Sequence, residues 1–78
     1  MFKKIDTIYD NEYDILYIII GKPSASESEW LEDGVYLRKS IPPRYGLRGV
    51  IIEDYSKKDR DHLAKILPDN LGICLPVL

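Results

Sequence analysis

Residues 9–18 read Tyr9-Asp10-Asn11-Glu12-Tyr13-Asp14-Ile15-Leu16-Tyr17-Ile18, and the fold is read outward from them. Asp10-Asn11-Glu12-Tyr13 is a turn, because Asp and Asn side chains bond nearby backbone N–H groups. Before it, Ile5 to Tyr9 forms a first strand. After it, Asp14 to Ile20 forms a second, rich in the β-branched and aromatic residues that suit a pleated surface. Ile15, Tyr17 and Ile19 point to one face of that second strand, and Leu16, Ile18 and Ile20 to the other. Both sets are apolar, so the strand needs cover on both faces.

Further along, Gly21-Lys22-Pro23 ends the strand, and Ser24 to Glu29 is polar: either a loose connector or a short edge strand leading to Trp30 and Leu31. Asp33-Gly34 is a turn signal, and Val35 to Lys39 is the next strand. Pro42-Pro43 and Gly46 bracket a hairpin tip, which projects from the sheet because proline donates no ladder hydrogen bond. Leu47 to Glu53 is the fourth strand, centred on Val50-Ile51-Ile52. Ser56-Lys57-Lys58-Asp59 matches a capping box with Ser56 as N-cap. Leu63, Ile66 and Leu67 then recur at helical spacing as one narrow apolar stripe, and Pro68 stops the helix. The expected fold is therefore α+β in a single small domain, residues 1–78. A four-stranded, mainly antiparallel, meander-like sheet occupies 5–54, a C-terminal helix at about 56–67 packs on one face, and an apolar tail covers 71–78.

A chain of 78 residues buries only roughly 60% of the surface its unfolded form exposes, so its core is marginal. Scaffolds of this size are usually stapled by disulfides, a metal or a partner chain. Cys74 is the single cysteine, which excludes an internal disulfide and leaves Cys74 as a small apolar filler. Cys74 and His62 are the only thiol and imidazole, too few for a four-ligand zinc site. No cofactor is expected. Self-association remains as the staple, with a homodimer favoured: the helix stripe covers one sheet face, and the tail, a second copy or both cover the other. Met1-Phe2-Lys3-Lys4 runs into Ile5-Asp6-Thr7 rather than an apolar stretch, so it is not a signal peptide. The longest apolar run, Ile15 to Ile20, falls far short of the ~20 residues that span a bilayer. The expectation is a cytoplasmic protein with no membrane partner.

Catalytic and metal motifs fail one by one. Asp10, Glu12 and Asp14 have the opening spacing of a calcium loop, but Ile15 and Gly21 stand where Gly and a bidentate Glu are required. They read instead as turn residues. His62 lies mid-helix with no nucleophile in view. Glu32-Asp33 and Glu53-Asp54 are neighbours along extended chain, so their carboxylates diverge. Gly46-Leu47-Arg48-Gly49 lacks the length and the Lys-Ser/Thr of a phosphate loop. No enzyme is expected.

The opening Tyr9-Asp10-xxx-Asp14-x-Leu16-Tyr17-Ile18 resembles that of the domain-of-unknown-function 2283 family, small prokaryotic domains that begin with a Tyr-Asp-xxx-Asp-x-Leu-Tyr-Ile pattern. Asp33-Gly34-Val35 and Gly46-xx-Gly49-Val50-x-Ile52 through Ser56 resemble two later family segments in the same order, so the resemblance spans roughly residues 3–58. Ile51 stands where the family pattern usually has Glu, and Ser40-Ile41-Pro42-Pro43-Arg44-Tyr45 replaces a short acidic turn. Roles of those acidic positions are not carried over. The resemblance implies no settled activity; some members are similar to the antitoxin half of toxin–antitoxin pairs.

Charge is segregated along the chain. Residues 1–33 carry three Lys against eight Asp and Glu, a net of −5, whereas residues 34–52 carry Arg38, Lys39, Arg44 and Arg48 and no acid. Two functional expectations follow. The first is a protein-interaction module, an antitoxin-like neutraliser of a small basic ribonuclease-like partner, with Asp10, Glu12 and Asp14 on the acidic contact surface. The alternative is a nucleic-acid-binding protein using the basic hairpin 38–48, where Arg38, Lys39, Arg44 and Arg48 meet phosphate and Tyr45 stacks on a base. A structural, self-assembling domain is the third reading.

Overall fold

The computed structural model describes residues 4–22, 25–41 and 46–78, with backbone only at 69 and 70. Five strands form in chain order: β1 (Ile5–Asp10), β2 (Ile15–Ile20), β3 (Ser26–Glu32), β4 (Val35–Ser40) and β5 (Leu47–Glu53). A 3-10 turn at Tyr55–Lys57, the helix α1 (Arg60–Ile66) and a 3-10 helix at Pro68–Cys74 complete the described chain. The fold is α+β with an antiparallel sheet and one α-helix, as expected.

The expected sheet needs two corrections. It has five strands rather than four, because Ser26–Glu32 pairs along β4 as an edge strand. Its order is β1-β2-β5-β4-β3 rather than a meander, with the last strand inserted between β2 and β4. Burial explains the order. β2 and β5 carry the longest apolar runs and take central positions, whereas Ser26-Glu27-Ser28-Glu29 and Asp6-Thr7 lie at the edges, where charge discourages further pairing.

One face of the sheet holds the core. Leu16, Ile52 and Val35 stand side by side across β2, β5 and β4, and Ile18, Val50 and Leu37 form the next row. All six are buried. Tyr55, Leu63, Leu67, Leu71 and Leu75 join the same buried cluster from the helical layer.

The helix begins later than the capping box suggests. Asp59, not Ser56, is the N-cap, accepting from the Asp61 N–H at 3.0 Å. Ser56 is drawn away by the first hairpin: its N–H and hydroxyl both donate to the Asp14 carboxylate, at 2.9 and 2.6 Å. Asp54, in the left-handed region at φ 52°, turns the chain out of β5 to make that contact. The resulting helix of seven residues is too short to persist without tertiary packing, and Leu63 is its fully buried anchor.

The C-terminal segment packs in cis beside the helix. A Cβ at Gly72 would lie 2.6 Å from the Ala64 Cβ, so glycine permits the close approach of the two segments. Further on, the Tyr55 hydroxyl donates to the Pro76 carbonyl at 2.6 Å. Leu71 and Leu75 are thus spent on the face that α1 already covers. The tail does not cover the second face of the sheet, which the described residues leave open.

Candidate interaction surface

Strand register assembles a single row on that open face. Ile8 pairs with Tyr17, Tyr17 with Ile51, Ile51 with Tyr36, and Tyr36 with Trp30, crossing all five strands. A bulge in β3 keeps the row intact: Trp30 pairs with Tyr36 and Glu32 with Val35. The extra residue, Leu31, turns back to pack against the core. Trp30 is 64% exposed and Ile8 53%, while Tyr17, Ile51 and Tyr36 are half-buried. Ile15 and Ile19 flank Tyr17 on the same face. A contiguous apolar patch of this kind is a candidate contact surface.

The two ends of the face differ in charge. At one end, the Glu53 carboxylate beside the Tyr36 phenol raises its pKa, with burial and the Asp33 charge adding to the effect. At the other end lie Arg38, Arg48 and Lys22. A second bulge places Arg48 there: Gly49 pairs with Arg38 and Leu47 with Lys39, so β5 spends one residue more than β4. Arg48 therefore reaches the same side as Arg38, and its Nε donates to Ser40 Oγ at 2.7 Å. Arg38 is pinned to β3 by bonds to Ser28 Oγ at 2.7 Å and Ser26 Oγ at 2.9 Å. Between the arginines and the apolar row runs a shallow groove of about 240 Å³, bordered by Tyr17, Ile19, Ile51, Arg38, Arg48 and Lys22. Gly49 lies within it, and a Cβ there would strike the Ile18 carbonyl oxygen. Among the described residues neither arginine has a carboxylate partner; the ion pairs are Lys39–Glu29 and His62–Glu32.

The residues singled out from sequence are thus divided. Arg38 and Arg48 come together on the open face. Lys39 does not join them, because it pairs with Glu29 across the β3–β4 ladder. Arg44 and Tyr45, with the projecting tip at Pro42-Pro43, lie outside the described residues. Asp10 is a turn residue: its Oδ1 accepts from the N–H groups of Glu12 and Tyr13 at 3.0 and 3.2 Å. Asp14, at φ 57°, accepts from the Tyr9 hydroxyl at 2.6 Å as well as twice from Ser56. Those bonds, led by the Ser56 hydroxyl and then the Tyr9 phenol, hold the Asp14 carboxyl below its usual range against a smaller opposing effect of burial. The same contact pushes the Tyr9 phenol up to about 12, with desolvation and the Asp14 charge adding to the hydrogen bond. Of the acidic turn, Glu12 is left exposed, its side chain making no bond among the described residues.

Sequence reasoning overlooked the row itself. The two-faced character of β2 was its one visible signal; without β3 as a strand, Trp30 and Tyr36 had no shared register. No group of three or more His, Cys, Asp or Glu side chains able to hold a metal occurs among the described residues. Among the described residues His62 Nε2 meets only the Glu32 carboxylate, at 2.9 and 3.0 Å. No described helix is long and apolar enough to cross a membrane. No family model, curated protein or solved structure matches this chain.

Proposed function

We propose that this chain is a non-enzymatic protein-interaction module whose working surface is the open face of its sheet. The row Ile8–Tyr17–Ile51–Tyr36–Trp30 carries the reading. Trp, Tyr and Arg dominate the energetics of protein interfaces, and Trp30, Tyr17, Tyr36 and Arg38 share this face. The acidic turn supports a contact less well, since Asp10 and Asp14 have their carboxylates engaged within the chain. A basic partner of the neutraliser kind fits better at Glu53 and Asp33.

The experiment is capture from native lysate with the wild-type chain, Trp30→Glu and Glu12→Lys, each checked for folding by circular dichroism. The reading expects a protein partner retained by Glu12→Lys and lost by Trp30→Glu. Retention by Trp30→Glu with loss by Glu12→Lys moves the contact to the acidic turn and overturns it. A second reading rests on Arg38, Arg48 and Lys22 around the groove beside Tyr17, an arrangement that suits a phosphate and a stacked base. It expects nucleic acid in the eluate, lost on Arg38→Glu.

A further inference from the structure

We infer that the occupant of the open face is a second copy of this chain, seated as an isologous dimer whose two-fold axis runs along the row Ile8–Tyr17–Ile51–Tyr36–Trp30. The inference rests on the reading of this face as a docking surface and adds what docks there and how it is oriented.

Charge placement selects the axis. On β5, Glu53 stands two residues to one side of Ile51, and the bulge carrying Arg48 stands on the other side. Asp33, in the turn before β4, precedes Tyr36, and Arg38 follows it. Lys22, just past β2, joins the basic end at the groove beside Tyr17. β5, and β4 with the turn before it, therefore each carry an acid on one side of the row and a base on the other. A two-fold axis along the row reverses strand direction, so the acidic end of one copy faces the basic end of the other. Glu53 then opposes the second copy's Arg48 and Asp33 its Arg38, and symmetry repeats each pairing. An axis along the strands would stack acid on acid and base on base. Such complementarity fixes register and suppresses wrong arrangements. One pairing runs the other way: Asp6 and Asp10 on β1 oppose each other, but at a sheet edge where water screens them.

The apolar middle suits self-contact as well. In an isologous interface one patch must complement itself, and on the axis each row residue meets its own counterpart, with Ile51 at the centre. Two sheets packed this way keep their strands within about 30° of alignment. Five strands spaced about 4.8 Å apart and about 20 Å long present roughly 500 Å² of face. Two such corrugated faces bury about 1,000–1,300 Å² in total, at the lower end of specific interfaces. A dimer of micromolar rather than nanomolar stability is the expected consequence. It would also supply the second cover that β2 requires.

The test is sedimentation equilibrium at micromolar concentration on the wild-type chain, Arg48→Glu, Glu53→Arg, and an equimolar mixture of the two variants. As concentration rises through the micromolar range, the mass of the wild type is expected to rise from the monomer's 9.0 kDa toward twice that value. Each variant alone sets like charges against each other and is expected to weaken the dimer by about tenfold or more. The mixture is expected to recover. In the mixed dimer the carboxylate brought by Arg48→Glu meets the guanidinium brought by Glu53→Arg, and the unchanged Glu53 and Arg48 still pair. Asp33→Arg and Arg38→Glu repeat the exchange if either β5 variant fails to fold. A wild-type monomer overturns the inference. So does a dimer that neither single variant weakens, as one formed through Ile73, Val77 and Leu78 would be, or a mixture no stronger than its components. If the wild type is monomeric while Trp30→Glu abolishes capture of a different protein, the occupant is wrong and the docking face stands.

Discussion

Leu63→Ala tests how the helical layer is held. Leu63 is fully buried and is the one core side chain supplied by α1 itself, Leu67 following at its C-cap. Truncating a fully buried leucine costs about 2–5 kcal/mol, because the transfer energy of the lost carbons is compounded by the cavity left behind. With sheet residues on one side and Leu71 and Leu75 on the other, the site has little freedom to collapse, so a value of about 3–4 kcal/mol is expected. A domain of this length has a total stability of about 4–12 kcal/mol, so the change removes a large share of it. Urea unfolding followed by circular dichroism reads the result: with a slope of about 1 kcal/mol/M, the midpoint should fall by about 3 M. Ile66→Ala, at a half-buried position of the same helix, should cost clearly less. A midpoint shift for Leu63→Ala equal to that of Ile66→Ala would mean that α1 does not dock through Leu63, and the account of the core would fail.

Three further outcomes are expected. Gly72→Ala should destabilise the chain by about 1–3 kcal/mol, since the new methyl meets Ala64 and overpacking at a tight approach carries that cost; Ala64→Gly in the same chain should restore part of the loss in a double-mutant cycle. The Tyr9 phenol should titrate near pH 12, seen as the component missing from the alkaline ultraviolet difference spectrum of Tyr9→Phe. Its raised pKa means that its contribution to stability is complete below pH 10 and is lost as pH rises through about 12. Asp14 behaves oppositely: its carboxyl is lowered from 3.8, so its contribution is complete above that value and is lost as pH falls through the lowered one. Asp14→Asn, which still tolerates the left-handed backbone, should flatten the acid limb of the stability–pH curve while leaving the alkaline limb set by the remaining tyrosines.

The hairpin at Asp10–Tyr13 and the two-faced β2 were legible because each rests on local chemistry: an Asx turn in the first case, an unbroken apolar run in the second. Ser26–Glu32 was legible only as one of two alternatives, because a solvated edge strand alternates polar residues with other polar residues and reads equally well as a connector. The place of β5 between β2 and β4 is a long-range choice made by burial, to which no local pattern points. Ser56 shows the limit of motif reading: Ser56-x-x-Asp59 satisfies the capping-box spacing, yet Asp14, forty-two positions away, takes the serine and leaves Asp59 to cap the helix. The candidate surface was half visible. The segregated charge was read from composition, and Arg38 and Arg48 do meet on one face. The row that joins their end to Glu53 exists only in the register of five strands, and two sequence-level candidates, Asp10 and Asp14, have their carboxylates bonded within the chain.

Trp30 is the only tryptophan in the chain and sits at the end of the row, so its fluorescence reports directly on whether the open face is covered. The measurement is the emission maximum and acrylamide quenching of the wild-type chain as concentration is raised through the micromolar range, with Glu53→Arg alongside. The account predicts a shift to shorter wavelength and falling quenching in the wild type, absent from the variant. An emission that stays at the position of a water-exposed indole across that range, in a chain shown by sedimentation to be dimeric, would contradict it.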